Sequence, residues 1–144
     1  MIRSAILASG LLATLLPGAV AEAGDLEVMV NGIRDDSGTV RVALYGDAGA
    51  FMKTGAETAA TFQKSSAGSM RFVFAGLATG TYALAVFHDA DSDGALDTNM
   101  LGMPTEGYGF SNDARGGFGP PRFAEAAIAV PAEGKARTTV QLGY

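Results

Sequence analysis

The sequence contains no cysteine, and His88 is its single histidine. Without cysteine there is no disulfide to staple the fold, no thiol nucleophile and no residue to carry a lipoprotein acyl anchor. Zinc sites draw on several His or Cys ligands, so one histidine argues against zinc. Nucleophilic serine chemistry finds no support either, since no G-x-S-x-G stretch occurs. Basic side chains are few: 10 Lys and Arg stand against 15 Asp and Glu, a net charge of −5. They form no cluster along the chain. An acidic domain of this kind repels phosphate backbones, so nucleic acid is not an expected partner. The glycine string Gly107-Tyr108-Gly109-Phe110 and the later Arg115 to Pro121 lack G-K-[ST] and are not a phosphate loop.

Apolar runs are also short. Met1, Ile2 and Arg3 are followed by an apolar stretch from Ala5 to Leu16, then Pro17, Gly18 and the small residues Ala19 to Ala23. Spanning a bilayer takes roughly 20 apolar residues. The pattern is that of a secretory signal peptide over residues 1–23, cut after Ala23 or after Ala21. The expectation is a signal peptide over residues 1–23, then a single domain over residues 24–144, periplasmic or secreted, with no transmembrane segment after cleavage. Loss of Arg3 and Glu22 removes one charge of each sign, so the net of −5 stands.

What remains is dominated by alternation with a period of two. Leu26, Val28 and Val30 alternate with Glu27, Met29 and Asn31, and Val40, Val42 and Leu44 with Arg41, Ala43 and Tyr45. The turn composition Asp35-Asp36-Ser37-Gly38 between them predicts a β-hairpin. Met70–Phe74 and Tyr82–Phe87 repeat the pattern around a glycine-bounded turn, Gly76 to Gly80. Ala126–Val130 and Thr138–Leu142 do so around Pro131 to Gly134. Ala59–Lys64 is a weaker strand, and Asp47–Gly55 reads as a loop. Seven short strands without a long helical period predict an all-β, antiparallel sandwich. Its expected core is Val28, Val42, Phe72, Leu84, Val86, Ile128 and Val140.

One segment breaks the rhythm. Thr98–Arg122 is rich in glycine and proline, yet carries Tyr108, Phe110 and Phe118. Loops beyond about 12–15 residues are uncommon in compact domains unless they have a function or are disordered. Aromatic content argues for an ordered loop pinned by those three rings, or a stacking platform for a sugar or peptide.

The strongest chemical signal is His88-Asp89-Ala90-Asp91-Ser92-Asp93-Gly94-Ala95-Leu96-Asp97. Carboxylates stand at loop positions 1, 3, 5 and 9, with glycine at 6. Hard cations take about 6–8 oxygens around one point. A loop delivers them when alternate side chains turn inward and the backbone bends, as Gly94 permits. The expected ligands for Ca²⁺ are Asp89, Asp91, Asp93, Asp97 and the carbonyl of Ala95. The spacing resembles EF-hand and dockerin loops, but position 12 is Met100 where those loops place an acid, and a strand enters where they have a helix. Asn99, Glu106 or Asp113 could complete the shell. The bland alternative is a solvated acidic turn. His88 reads as a structural histidine bonded to a loop carbonyl, the alternatives being metal ligand or general base. Arg115 and Arg122 could pair with the aspartates or bind an anion.

The stretch Phe74–Gly119 reads F-x-G-L-x-x-G-T-Y-A-L-A-V-F-H-D-x-D-x-D-G-x-L-D-T-N-x-L-G-x-P-x-E-G-Y-G-F-S-N-x-A-R-G-x-F-G. It resembles the bacterial domain of unknown function 2141 family of small exported proteins, and the likeness extends from the Leu26 strand to Tyr144. The G-L-x-x-G-T-Y element is also similar to transthyretin-like and carboxypeptidase-regulatory-like sandwiches, which implies a Greek-key, prealbumin-like or immunoglobulin-like topology. The histidines and the C-terminal Tyr-Arg-Gly-Ser of hydrolytic transthyretin relatives are absent, so their activity is not implied. The expectation is a non-enzymatic, calcium-binding accessory module of the cell envelope, acting on an envelope protein or a small ligand. The alternatives are a metal-dependent hydrolase using the Asp cluster and His88, and a structural module assembling through a sheet edge.

Overall fold

The computed structural model describes residues 22–144. The signal-peptide reading of residues 1–23 lies outside them except for Glu22 and Ala23. Among the described residues there are eight strands: β1 (Ala23–Ile33), β2 (Thr39–Tyr45), β3 (Ala59–Lys64), β4 (Gly68–Ala78), β5 (Gly80–Asp89), β6 (Tyr108–Phe110), β7 (Ile128–Val130) and β8 (Lys135–Gln141). A 3-10 turn, Ser111–Asp113, and a one-turn helix α1 (Phe123–Ala126) lie between β6 and β7. The strand β6 falls inside the segment read from sequence as loop, because glycines on both sides of Tyr108 mask its alternation.

The strands form two sheets. Sheet A has the order β4-β1-β8; sheet B has the order β3-β2-β5-β6, with β7 paired to the beginning of β5. The expected hairpin between β1 and β2 does not exist. β1 pairs with β4 and β8, whereas β2 pairs with β3 and β5. The turn at Asp35–Gly38 therefore carries the chain from one sheet to the other. The glycine-bounded turn between β4 and β5, and the turn between β7 and β8, do the same. Alternation identifies a strand with one buried face; it does not say which strand lies beside it. The expected all-antiparallel pairing also needs correction, because β1 and β8 run parallel. Parallel neighbours need a long connection, and here nearly the whole chain separates them.

Between the sheets lies one apolar core, including all seven residues expected there: Val28, Val42, Phe72, Leu84, Val86, Ile128 and Val140. A smaller cluster of Ala83, Phe110 and Ala126, with Phe51 and Phe123 against it, sits on the opposite face of sheet B. Phe110 thus pins the long loop as expected, and Tyr108 is partly buried beside it. Phe118 does not: it is fully exposed. Met100, Leu101 and Met103 are exposed as well.

On the outer face of sheet A, Arg71, Lys135 and Arg137 converge on Glu27 at 2.7, 3.6 and 3.7 Å. The sequence shows no basic cluster; strand register on both sides of β1 makes one. Among the described residues no helix is long and apolar enough to cross a membrane.

Candidate metal centre

The acidic loop leaves sheet B at the end of β5. Asp89 is the last residue of that strand and is fully buried. One of its carboxylate oxygens accepts from Asp93 N at 3.1 Å, and the other from Gly94 N at 3.0 Å and from Arg41 Nε at 2.6 Å. Gly94 stands at φ +86°, the left-handed bend foreseen for it. The bend lets two successive N–H groups face Asp89. Burial pushes the Asp89 carboxyl up, but the Arg41 guanidinium and the Gly94 N–H outweigh it, and the group is held below the ordinary aspartate value. A carboxylate offers about four lone-pair sites, and three donors already engage this one. Asp89 is thus chiefly the anchor of the loop.

Asp91 and Asp93 continue the turn. Asp91 Oδ1 accepts from Asp93 N at 3.1 Å, and Asp93 Oδ1 from Ala95 N at 2.8 Å. Oxygens of Asp91, Asp93 and Asp97 lie within 4.8 Å of one another, and those of Asp89, Asp91 and Glu106 do likewise. Asp91 belongs to both groups. Of the three residues proposed to complete the shell, Glu106 alone joins the cluster. It is buried, and its two oxygens accept from Ala90 N at 2.8 Å and Asp97 N at 3.1 Å, clasping both ends of the loop. Asn99 instead caps the exposed tip, accepting from Leu101 N and Met103 N. Asp113 accepts from Gln141 N, away from the loop.

Like charge marks the cluster. The hydrogen bond from Asp93 N is the largest single influence on Asp91 and lowers it. Loss of hydration beside its neighbours together with the charges of Asp93 and Asp97 prevails, and Asp91 is raised although it is exposed. Asp97 is raised by burial and then by Asp93, Glu106 and Asp89. Arg41 is the basic residue that reaches the loop, and it serves Asp89. Sequence reasoning missed it because Arg41 sits on β2; the register Thr39↔Asp89 and Arg41↔Phe87 brings it there. Arg122 pairs with Glu125 three residues on, not with the aspartates.

His88 is the residue before the loop, buried on the core side of β5. Nε2 lies 2.7 Å from Ser37 O, which can only accept, so Nε2 carries a proton. Nδ1 lies 2.9 Å from the Tyr144 hydroxyl. Tyr144 Oη also accepts from Arg34 N at 2.9 Å, and the Arg34 guanidinium stacks 3.8 Å above its ring. Both imidazole nitrogens are therefore committed to the protein. Gly38, at φ +63°, presses on the same junction, where a Cβ would collide with the Asp89 carbonyl.

The architecture is that of a two-sheet β protein with an acidic loop at one end of a sheet. The chain belongs to the family described as an uncharacterized protein conserved in bacteria, the domain of unknown function 2141, which matches residues 28–139. No curated protein and no solved structure matches it.

Proposed function

We propose that this chain is an exported, calcium-binding β-sandwich module with a binding or accessory role in the cell envelope. One observation carries the metal reading. Asp91, Asp93 and Asp97 converge within 4.8 Å, and among the described residues no Lys or Arg pairs with them. Carboxylates packed in this way repel each other, and Asp91 and Asp97 are raised by loss of hydration and then by the neighbouring carboxylates. A divalent cation relieves that repulsion, and calcium suits a flexible cluster of oxygens better than magnesium, which demands octahedral geometry and retains water. With Asp89 occupied by Arg41 and no acid at residue 100, affinity belongs in the extracellular range, about 10⁻⁴–10⁻³ M.

Export rests on the n-region, apolar stretch and small residues of 1–23. A non-enzymatic role is supported by His88, the base that the hydrolase alternative invokes, whose two nitrogens instead face Ser37 and Tyr144. The Greek-key relationship to transthyretin-like sandwiches is part of the same proposal, supported by the four short connections, β1–β2, β3–β4, β4–β5 and β7–β8, that cross between sheets. The test of the metal reading is thermal melting with and without 10 mM calcium. Binding to the folded state alone gives RT ln(1 + [L]/Kd), about 1.4–2.7 kcal/mol over the stated affinity range. A melting curve indifferent to calcium would overturn it.

A further inference from the structure

The outer face of sheet B holds a second feature, a groove of about 410 Å³. Small-molecule pockets span about 300–1,000 Å³. Strand register explains the groove. One cross-strand row sets Ala60, Ala43, Ala85 and Phe110 side by side across β3, β2, β5 and β6. The adjacent row is Phe62, Arg41, Phe87 and Tyr108. Small side chains in one row between large ones leave a trough. Its floor includes Ala43 and Ala85, and aromatic rings of Tyr45, Phe87, Tyr108 and Phe110 line it. Met52 and Thr54 of the 46–58 loop lie at its border, as does the Gly94–Leu96 part of the acidic loop.

Glu57 is the one carboxylate in the lining, and no Lys or Arg is part of it. Arg41 borders the trough near Gly94 but is ion-paired to Asp89. Glu57 accepts one long hydrogen bond from Gly55 N at 3.2 Å through Oε1, and no described residue donates to its other oxygen. We propose that this trough binds a small organic monoamine, with an aromatic or alkyl body over Ala43 and Ala85 and its ammonium group against Glu57. Two features select that chemistry. Aromatic faces attract a cation through their quadrupole, most strongly where water is displaced. The single negative charge complements a single positive one, and it repels an anion of the same shape. Burial raises the Tyr45 phenol and the Glu57 charge raises it further, so the field of that carboxylate reaches the groove wall. Gly94–Leu96 belong both to the groove lining and to the acidic loop, so the site is tested with metal removed.

The experiment is an NMR titration of the isotope-labelled protein, in chelator, with three probes of like shape: 2-phenylethylamine, 2-phenylethanol and 3-phenylpropionate. The amine is expected to shift the amide signals of Ala43, Ala85, Gly94 and Ala95 saturably. It should bind about tenfold or more tighter than the alcohol, a difference within reach of one desolvated cation–aromatic contact. The acid should be weakest. Glu57→Gln should reduce the amine to the level of the alcohol, and Ala85→Leu should abolish binding of both by filling the floor. Equal or tighter binding of the acid, an unchanged amine affinity in Glu57→Gln, or shifts confined to other surfaces would overturn the proposal. If Ala85→Leu fails to fold, Glu57→Gln with the three probes decides it alone.

Discussion

Asp89 holds three protein donors on one buried carboxylate, whereas Asp91 and Asp93 are exposed and engage only neighbouring backbone N–H groups. Substitutions should therefore separate them. Asp89→Ala strands Arg41 and two loop N–H groups, and leaving such donors unsatisfied costs about 1–3 kcal/mol. A clear drop in the metal-free melting temperature is expected; an unchanged one would refute the anchoring role. Asp91→Ala and Asp93→Ala should leave the metal-free melting temperature unchanged or slightly raised, since each removes a repelling charge, while abolishing the calcium-dependent shift. Variants that respond to calcium as the parent does would make the aspartates a solvated turn. The alternation of aspartates and the place of Gly94 were readable from spacing alone, because every participant lies within one short loop. Arg41 and the clasp by Glu106 were less so. The first depends on which strand lies beside β5, and the second on how the long loop returns.

Among the elements, strand existence followed from apolar alternation, and partnership did not. Three tight turns with hairpin composition join different sheets, because a turn reverses the chain whether it lies within a sheet or arches across the core. The Glu27 cluster is a product of that partnership, tying β4 and β8 to β1. The Arg71 hydrogen bond is the largest influence on Glu27 and holds its carboxyl below the ordinary glutamate value of 4.5 despite partial burial. A depressed carboxylate contributes stability fully present above its unfolded value, and lost as pH falls through the folded one. Glu27→Gln should thus melt lower than the parent at neutral pH, with the gap closing below the ordinary glutamate range. A gap that persists at acid pH would show that the charge is not responsible. The long loop gives another check. Chymotrypsin should cut at exposed Leu101 and Phe118 and spare Phe110, which is buried against Phe51. Early cleavage at Phe110 would contradict the packing described.

At the scale of the whole molecule, two sheets enclose one core, and the acidic loop hangs from the end of a central strand of sheet B. Phe72 is 1% exposed at the middle of that core, so Phe72→Ala should cost about 3–5 kcal/mol. A loss under about 1 kcal/mol in chemical denaturation would mean that the interior repacks freely. The core was legible because burial on one face of a strand imposes period two; β6 and the parallel β1–β8 pair were hidden, because neither leaves such a periodic mark. The central claim concerns the loop rather than the core. Its most direct measurement is calorimetric titration of chelator-treated protein with calcium and then magnesium, beside Asp91→Ala. Saturable calcium binding at about 10⁻⁴–10⁻³ M, weaker magnesium binding and a silent variant are the predicted results. No saturable binding up to about 10 mM calcium, an order of magnitude above that range, or a variant that binds like the parent, would contradict it.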